Sequence, residues 1–282
     1  MLRISKILNN NAVIIIDDQC KEKVIVGTGV GFQKKPGEEV DSSKIRKIYS
    51  LSTDDLNSKF QEILSALPIE RLDILEKIIE EIKLSLGKKI SDSIYVSLLD
   101  HINFSLINYE KGIQVSNALL FDIMRFYPEE YKIGKKALKI IEDCTGISLS
   151  NDEAGFIALH IVNAETENAV STKEIYKATK IIEEILGIVK NYFDVEIDED
   201  SLTYFRFVNH LRYFSLRIVN HSIFKDDEKD RKLLDVLSKM YIQSYQCCLN
   251  IKRFIKVAYD TDIGYEELLY LTIHVQRAIF KD

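Results

Sequence analysis

The chain states one pattern twice. Residues 153–164 read Glu-Ala-Gly-Phe-Ile-Ala-Leu-His-Ile-Val-Asn-Ala, and residues 267–278 read Glu-Leu-Leu-Tyr-Leu-Thr-Ile-His-Val-Gln-Arg-Ala. Acid, aromatic, aliphatic, His160 or His274, and closing Ala stand at the same offsets in both. A looser pair precedes them, Asp100-His101-Ile-Asn-Phe answered by Asn209-His210-Leu-Arg-Tyr, so four of the five histidines occupy matched places. A spacing of about a hundred residues means duplicated domains, because solenoid repeats recur at much shorter periods. A chain of 282 residues is long enough for two or three domains with their own cores.

The hydrophobic period separates a short first region from everything after it. Leu2 to Leu8, Ala12 to Asp17, Glu22 to Val26, Val30 to Lys34 and Lys47 to Leu51 are short runs, mostly rich in β-branched residues. They are punctuated by Asn9-Asn10-Asn11, Asp17-Asp18, Gly27-Thr28-Gly29 and Pro36-Gly37, which predicts a small antiparallel sheet. Such a sheet has too little core to stand alone, so it should dimerise or lean on the helices after it. From Thr53 onward the period is helical: Leu72, Leu75, Ile78, Ile79, Ile82 and Leu86 share one face of Ile69 to Leu86. Further helices are predicted at 92–108, 117–126, 133–144 and 151–164, then at 175–193, 198–220, 227–250, 251–259 and 265–280. Ser150 to Glu153 reads as a capping box, and Gly146 as a helix stop. Glu165 to Thr172 reads as the joint between two bundles. The fold class is therefore a small antiparallel β-sheet domain followed by two all-α helical bundles, duplicated.

Charge and cysteine usage narrow the function classes. Residues 1–50 carry nine Lys/Arg against six acids, whereas the whole chain is at −6, so a basic module sits on an acidic body and should meet a polyanion. No apolar run approaches the roughly 20 residues that span a bilayer, and the Met1-Leu-Arg-Ile-Ser-Lys start lacks a secretory signal, which predicts a cytoplasmic chain without membrane insertion. Cys20, Cys144, Cys247 and Cys248 show no metal-ligand spacing, so reduced thiols are expected.

A single histidine among apolar helix residues is most often a packed one. Repetition at matched positions points instead to a shared task, and imidazole can ligate metal, act as acid or base, or accept a phosphoryl group. Metal is disfavoured because neither half offers a third ligand at a recognisable spacing. Catalysis is disfavoured because no nucleophile elbow, phosphate-cradling glycine loop or paired-carboxylate motif accompanies the histidines. Phosphoryl acceptance needs only an accessible imidazole with a neighbour that fixes its tautomer. His221 has no repeat partner and reads as a surface residue.

Taken together, Lys6-Ile-Leu-Asn-Asn-Asn11, Gly27-Thr-Gly-Val-Gly-Phe-Gln-Lys-Lys35, Asp100-His-Ile-Asn-Phe-Ser105, Asp152 to Ala164, Phe205-Arg-Phe-Val-Asn-His-Leu211 and Tyr270-Leu-Thr-Ile-His274 carry a resemblance. In their order and spacing, over essentially the whole chain, they resemble the sugar-responsive transcriptional antiterminators, most closely the β-glucoside branch. The resemblance implies an RNA-binding domain at 1–56 and phosphotransferase-system regulation domains at 65–168 and 172–282, in a regulator with no enzymatic activity and no cofactor or metal. It implies a homodimer whose first domain binds a leader-mRNA hairpin and prevents an overlapping terminator from forming. By the same resemblance, the sugar-specific transporter phosphorylates the first regulation domain, at His101 and His160, and silences the protein. The general phosphocarrier phosphorylates the second, at His210 and His274, and activates it.

The RNA-contact residues implied are Lys6, Asn9, Asn11, Gly27, Thr28, Gly29, Phe32 and Gln33. Lys6 can meet phosphate, the asparagines can pair with exposed base edges, and Phe32 can stack on an unpaired base. Many relatives carry a basic residue where this chain has Thr28, which removes one phosphate or base contact. A phosphohistidine adds about two negative charges. In the first helical domain that charge should push protomers apart, and in the second it should recruit Arg212 or Arg277 and lock the dimer. The alternatives are a DNA-binding activator with the same regulatory domains, which the strand-rich start disfavours, a histidine- or metal-dependent enzyme on a duplicated bundle, and a scaffold with core histidines.

Overall fold

The computed structural model describes residues 2–18, 20–165, 172–222 and 227–280, and the chain divides into two compact units. The first opens with strands β1 (Ile4–Asn9), β2 (Ala12–Ile16), β3 (Glu22–Val26) and β4 (Lys47–Tyr49), antiparallel neighbours in that order. Ile4, Val13, Ile15 and Ile25 face Val30 and Val40 of the following loop, while Ala12, Val24, Val26 and Tyr49 join the helical core. Burial on both faces is why β2 reads as the unbroken run Ala-Val-Ile-Ile-Ile and does not alternate.

The strand expected at Val30 to Lys34 does not form. Gly29 (φ 69°) and Gln33 (φ 55°) adopt left-handed backbone, and the amides of Phe32 and Lys34 bond back to the carbonyls of Gly29 and Gly31, at 3.3 and 3.2 Å. The segment closes over the sheet as consecutive turns, with Val30 as its apolar anchor. Sheet pairing is thereby limited to four strands.

Helix α1 (Asp54–Ala66) starts where the Thr53 hydroxyl accepts from the Leu56 amide at 3.3 Å, with Asp54 and Asp55 at the positive end of the helix. Its buried Phe60 and Leu64 dock on the sheet, and α2 (Ile69–Leu86) buries its predicted stripe of Leu72, Leu75, Ile78, Ile79 and Ile82 in the same core, packed on the helices. Each such side chain contributes roughly 1.5–3 kcal/mol on leaving water. Polar ties reinforce the attachment. Glu76 receives Arg46 at 3.1 Å, Lys47 at 3.2 Å and the Tyr49 hydroxyl, and Gln61 donates to Glu22 at 2.8 Å. The sheet thus leans on α1 and α2, as its size requires.

The first unit is completed by α3 (Ser93–Glu110), α5 (Pro128–Thr145) and α6 (Asn151–Glu165), with Gly146 in left-handed backbone ending α5 as expected. Between α3 and α5 in the chain, α4 (Leu120–Phe126) belongs to the second unit, where Tyr127 beside it meets Thr179 at 3.4 Å and Arg125 pairs with Glu199. The second unit adds α7 (Thr172–Phe193), α8 (Leu202–Val219), α9 (Glu228–Met240), α10 (Ile242–Tyr259) and α11 (Tyr265–Ile279). The single helix expected over 227–250 is broken at Tyr241 (φ −119°, ψ 56°), and α10 runs on to Tyr259. Neither glycine nor proline marks that break in the sequence. The expected joint at Glu165 to Thr172 falls largely on residues 166–171, outside those described. Among the described residues no helix is long and apolar enough to cross a membrane.

Candidate functional sites

The asparagine turn and the glycine loop of the sheet are locked together. The Asn9 side-chain oxygen accepts from the Asn11 amide at 2.8 Å, and the Asn11 oxygen accepts from the Gly29 amide at 2.8 Å. The Gly27 amide donates to the Asn11 carbonyl at 2.9 Å. Gly27 is required because a Cβ there would lie 1.8 Å from the Lys44 carbonyl oxygen. The Asn9 amide nitrogen is also committed, donating to the Leu64 carbonyl of α1 at 2.7 Å.

Both polar atoms of Asn9 and the side-chain oxygen of Asn11 therefore brace the loop, and the Asn11 amide nitrogen is left for a partner. The side chains offered to solvent are Lys6, Thr28, Gln33 and Phe32, the last 53% exposed. Two further exposed residues, which the sequence alone did not single out, share this surface. Asn10 is the middle residue of the asparagine turn, and the Lys44 ammonium reaches the Gly29 carbonyl at 3.4 Å. The Lys44 charge, an unburied aromatic ring and amide groups on these two interlocked turns are the ingredients for phosphate contact, base stacking and base-edge pairing.

The four repeated histidines meet as two pairs, each inside one helical unit. His101 on α3 lies against His160 on α6 with ring centroids 4.9 Å apart, and His210 on α8 lies against His274 on α11 at 4.8 Å. The elements match residue for residue: α3 and α8 each span 18 residues, α6 and α11 each span 15. Aromatic neighbours are matched too, with Phe156 at 5.8 Å from His101 and Tyr270 at 5.9 Å from His210.

Each pair comes with the glutamate that opens the repeated motif. The His101 Nε2 is 3.0 Å from Glu153, which also receives the Ser105 hydroxyl at 2.7 Å. Glu153 is thus turned into the core, and the capping-box reading is replaced by a role beside the histidine. The His210 Nε2 lies 3.8 Å from Glu267, whose carboxylate is gripped bidentately by Arg217 at 2.7 and 3.0 Å. The sequence signal for both acids was the shared offset of Glu153 and Glu267 in the repeat. Arg212 lies over the Tyr127 ring, 4.5 Å from its centroid.

Burial, with His101 as a close neighbour, pushes His160 down to about 3, and burial beside His274 and Arg217 does the same to His210. His274 is lowered by burial and by Arg277 and Arg206, while burial raises Glu267 against the pull of Arg217. These rings are neutral at physiological pH, so each keeps the lone pair that a nucleophilic nitrogen needs. Among the described residues no group of three or more His, Cys, Asp or Glu is arranged to hold a metal ion.

Comparison with known proteins decides the family. The model for the CAT RNA binding domain matches residues 2–58, and the model for the PRD domain matches 76–164 and again 172–278. The transcription antiterminator LicT of Bacillus subtilis is 44% identical over 99% of both chains. The chain belongs to this family of antiterminators. The beta-glucoside operon antiterminator of Dickeya chrysanthemi is 38% identical over 98% of this antiterminator and 96% of its own length. The crystal structure of GlcT CAT-PRDI superposes with a TM-score of 0.51 at 31% identity, over 59% of this chain and 99% of its own. The antiterminator is a regulator under phosphotransferase-system control, not an enzyme. Its sheet carries the RNA-binding domain, and each PRD match contains one histidine pair.

Proposed function

We propose that this antiterminator acts in the cytoplasm as a homodimer that grips an imperfect hairpin in a leader mRNA and blocks the overlapping terminator. Residues 1–56 form the RNA module and residues 65–168 and 172–282 the two regulation domains. Lys6 meets phosphate, Phe32 stacks on an unpaired base, and Thr28 and Gln33 contact the bulge, while Asn9, Asn11, Gly27 and Gly29 hold the loop in shape. By similarity to the beta-glucoside operon antiterminator, the sensed sugar is a β-glucoside. The sugar-specific transporter modifies His101 and His160 to silence the protein, and the general phosphocarrier modifies His210 and His274 to activate it.

The observation that carries this reading is the pairing of all four repeated histidines, two by two, each pair beside a buried glutamate. In the transfer, a ring nitrogen attacks the phosphorus of the phosphorylated donor protein. Its new N–P bond forms as the bond between phosphorus and the donor side chain breaks, and that side chain leaves with the electron pair. The ring proton displaced as the N–P bond forms passes to the nearby carboxylate or to water, and the donor group takes up a proton in its place.

The test is a titration of the full chain against a leader-type hairpin with unpaired bases in its stem. Phe32→Ala is expected to weaken binding roughly 5- to 150-fold, the worth of one base stacked on an aromatic ring. Binding that is indifferent to the substitution, or to the unpaired bases, counts against the RNA surface assigned here.

A further inference from the structure

The two pairs sit on matched helices whose charges do not match. Helices α3 and α6 contain no lysine or arginine and carry Asp100, Glu110, Asp152, Glu153 and Glu165. Helices α8 and α11 carry Arg206, Arg212, Arg217 and Arg277 against Glu266 and Glu267. Shifting α3 onto α8 and α6 onto α11 puts Ser97 at Arg206, Asn108 at Arg217 and Asn163 at Arg277. Each arginine is one helical neighbour or one buried ion pair away from a histidine. Arg206 is a turn before His210 on α8, Arg277 is a turn after His274 on α11, and Arg217 holds the Glu267 that faces the His210 Nε2 at 3.8 Å. Arg206 and Arg277 are exposed, and the His210 Nδ1 is buried without a hydrogen-bond partner, leaving Nε2 as its outward nitrogen.

We propose that Arg206, Arg217 and Arg277 form a cradle for phosphoryl groups on His210 and His274, and that this cradle gives phosphorylation of the second domain its stabilising sign. The proposal rests on the reading of the four histidines as phosphoryl acceptors. A phosphoryl group brings about two negative charges and strong acceptor oxygens. At the second pair those oxygens meet arginine forks, which match phosphate bidentately. Arg217 can pivot from Glu267 to the phosphoryl group, and Glu267, already held towards its protonated form by burial, tolerates the exchange. At the first pair the same group arrives beside Glu153, whose carboxylate lies 3.0 Å from the His101 Nε2, with no cation on either helix, so it repels the carboxylate and opens the packing of α3 on α6. One modification on one backbone template thus tightens one domain and loosens the other.

The experiment phosphorylates the full chain with a phosphocarrier, its kinase and phosphoenolpyruvate. It reads phosphoryl occupancy of each histidine by mass spectrometry and hairpin affinity by fluorescence anisotropy. Three variants are compared: Arg206→Ser/Arg277→Asn, Arg217→Asn/Glu267→Gln, which leaves no lone buried charge, and the conservative Arg206→Lys/Arg277→Lys. The wild type is expected to gain hairpin affinity on the order of 5- to 150-fold, the usual range for coupled sites, and the first two variants to gain less than about twofold at equal occupancy. The lysine variant should recover part of the gain. Full gain without the arginines overturns the proposal while leaving the phosphoryl-acceptor reading intact.

A wild type that takes no phosphoryl group on His210 or His274 overturns that reading and the proposal with it. If a variant blocks transfer itself, His210→Asp/His274→Asp supplies the charge directly. A gain from those aspartates seen only with the arginines present supports the cradle, and an equal gain without them overturns it.

Discussion

In the first helical unit Glu153 is a hydrogen-bond acceptor shared by Ser105 and His101, at 2.7 and 3.0 Å. In the second unit Glu267, at the same place in the repeat, is an ion-pair partner, bound by both arms of Arg217 and 3.8 Å from His210. The histidine rings are nearly equidistant in the two units, at 4.9 and 4.8 Å, so the backbone template is common and the electrostatic setting is not. The difference teaches that a duplicated fold can keep the geometry of a histidine pair while exchanging the charges that surround it.

The comparison can be broken most directly at the glutamates. Glu267→Ala strands Arg217 in a largely buried position and is expected to cost roughly 3 kcal/mol, because removing one member of a buried pair leaves an uncompensated charge. Glu153→Ala strands only a hydroxyl and an imidazole and should cost about 1–2 kcal/mol. Urea unfolding of the full chain followed by probes in each unit checks this, and equal losses would mean that the two carboxylates play the same part.

The likeness of the two pairs is sharpened by pH. His160 and His210 are both pushed down to about 3 from an ordinary 6.5, so each is protonated far more readily in the unfolded chain. The stability that each neutral ring contributes is complete above about 6.5 and is lost as the pH falls from there towards 3. Replacing either with glutamine is expected to flatten the fall in stability between pH 6.5 and 5 by up to about 1.4 kcal/mol per pH unit. Denaturant midpoints at three pH values measure it. Flattening by one substitution alone would show that the two pairs are not equally sequestered.

The smallest expected effect concerns Ser105, which has Phe214 at its place in the second unit. Ser105→Ala should lower stability by about 1 kcal/mol through the hydrogen bond lost to Glu153. Denaturant midpoints of the full chain check it. An unchanged midpoint would mean that the hydroxyl bond to Glu153 contributes nothing to stability.

The histidine pairing was legible in the sequence because matched offsets on helices of equal length put matched side chains on matching faces. The stripe of α2 and the stop at Gly146 were legible for the same local reason. The acids of the repeat were visible as Glu153 and Glu267, but the one beside Ser150 looked like a cap, since capping boxes and buried carboxylates share the same local residues. The strand expected over 30–34 failed because Gly29 and Gln33 take left-handed backbone, which the alternation of apolar residues does not report. The break at Tyr241 had no glycine or proline to announce it. Phe32 of the glycine loop and Lys6 of β1 stand in solvent, whereas the Asn9 nitrogen and the Asn11 oxygen are occupied by Leu64 and Gly29, far away in the chain.

By itself the sequence determined that a short basic sheet precedes two copies of one helical template, and that each copy carries two histidines and one acid in fixed register. Those are local properties, set by side-chain period, turn residues and repetition. Only the tertiary structure decided the company each acid keeps, with Glu153 meeting Ser105 across 48 residues of chain and Glu267 meeting Arg217 across 50. It also decided that the sheet spends one face on α1 and α2 and gives up two of its asparagines as braces. The reason is physical: helix faces follow from spacing along the chain, but the partner of a buried charge follows from which helix packs against which, and that is fixed only when the core closes.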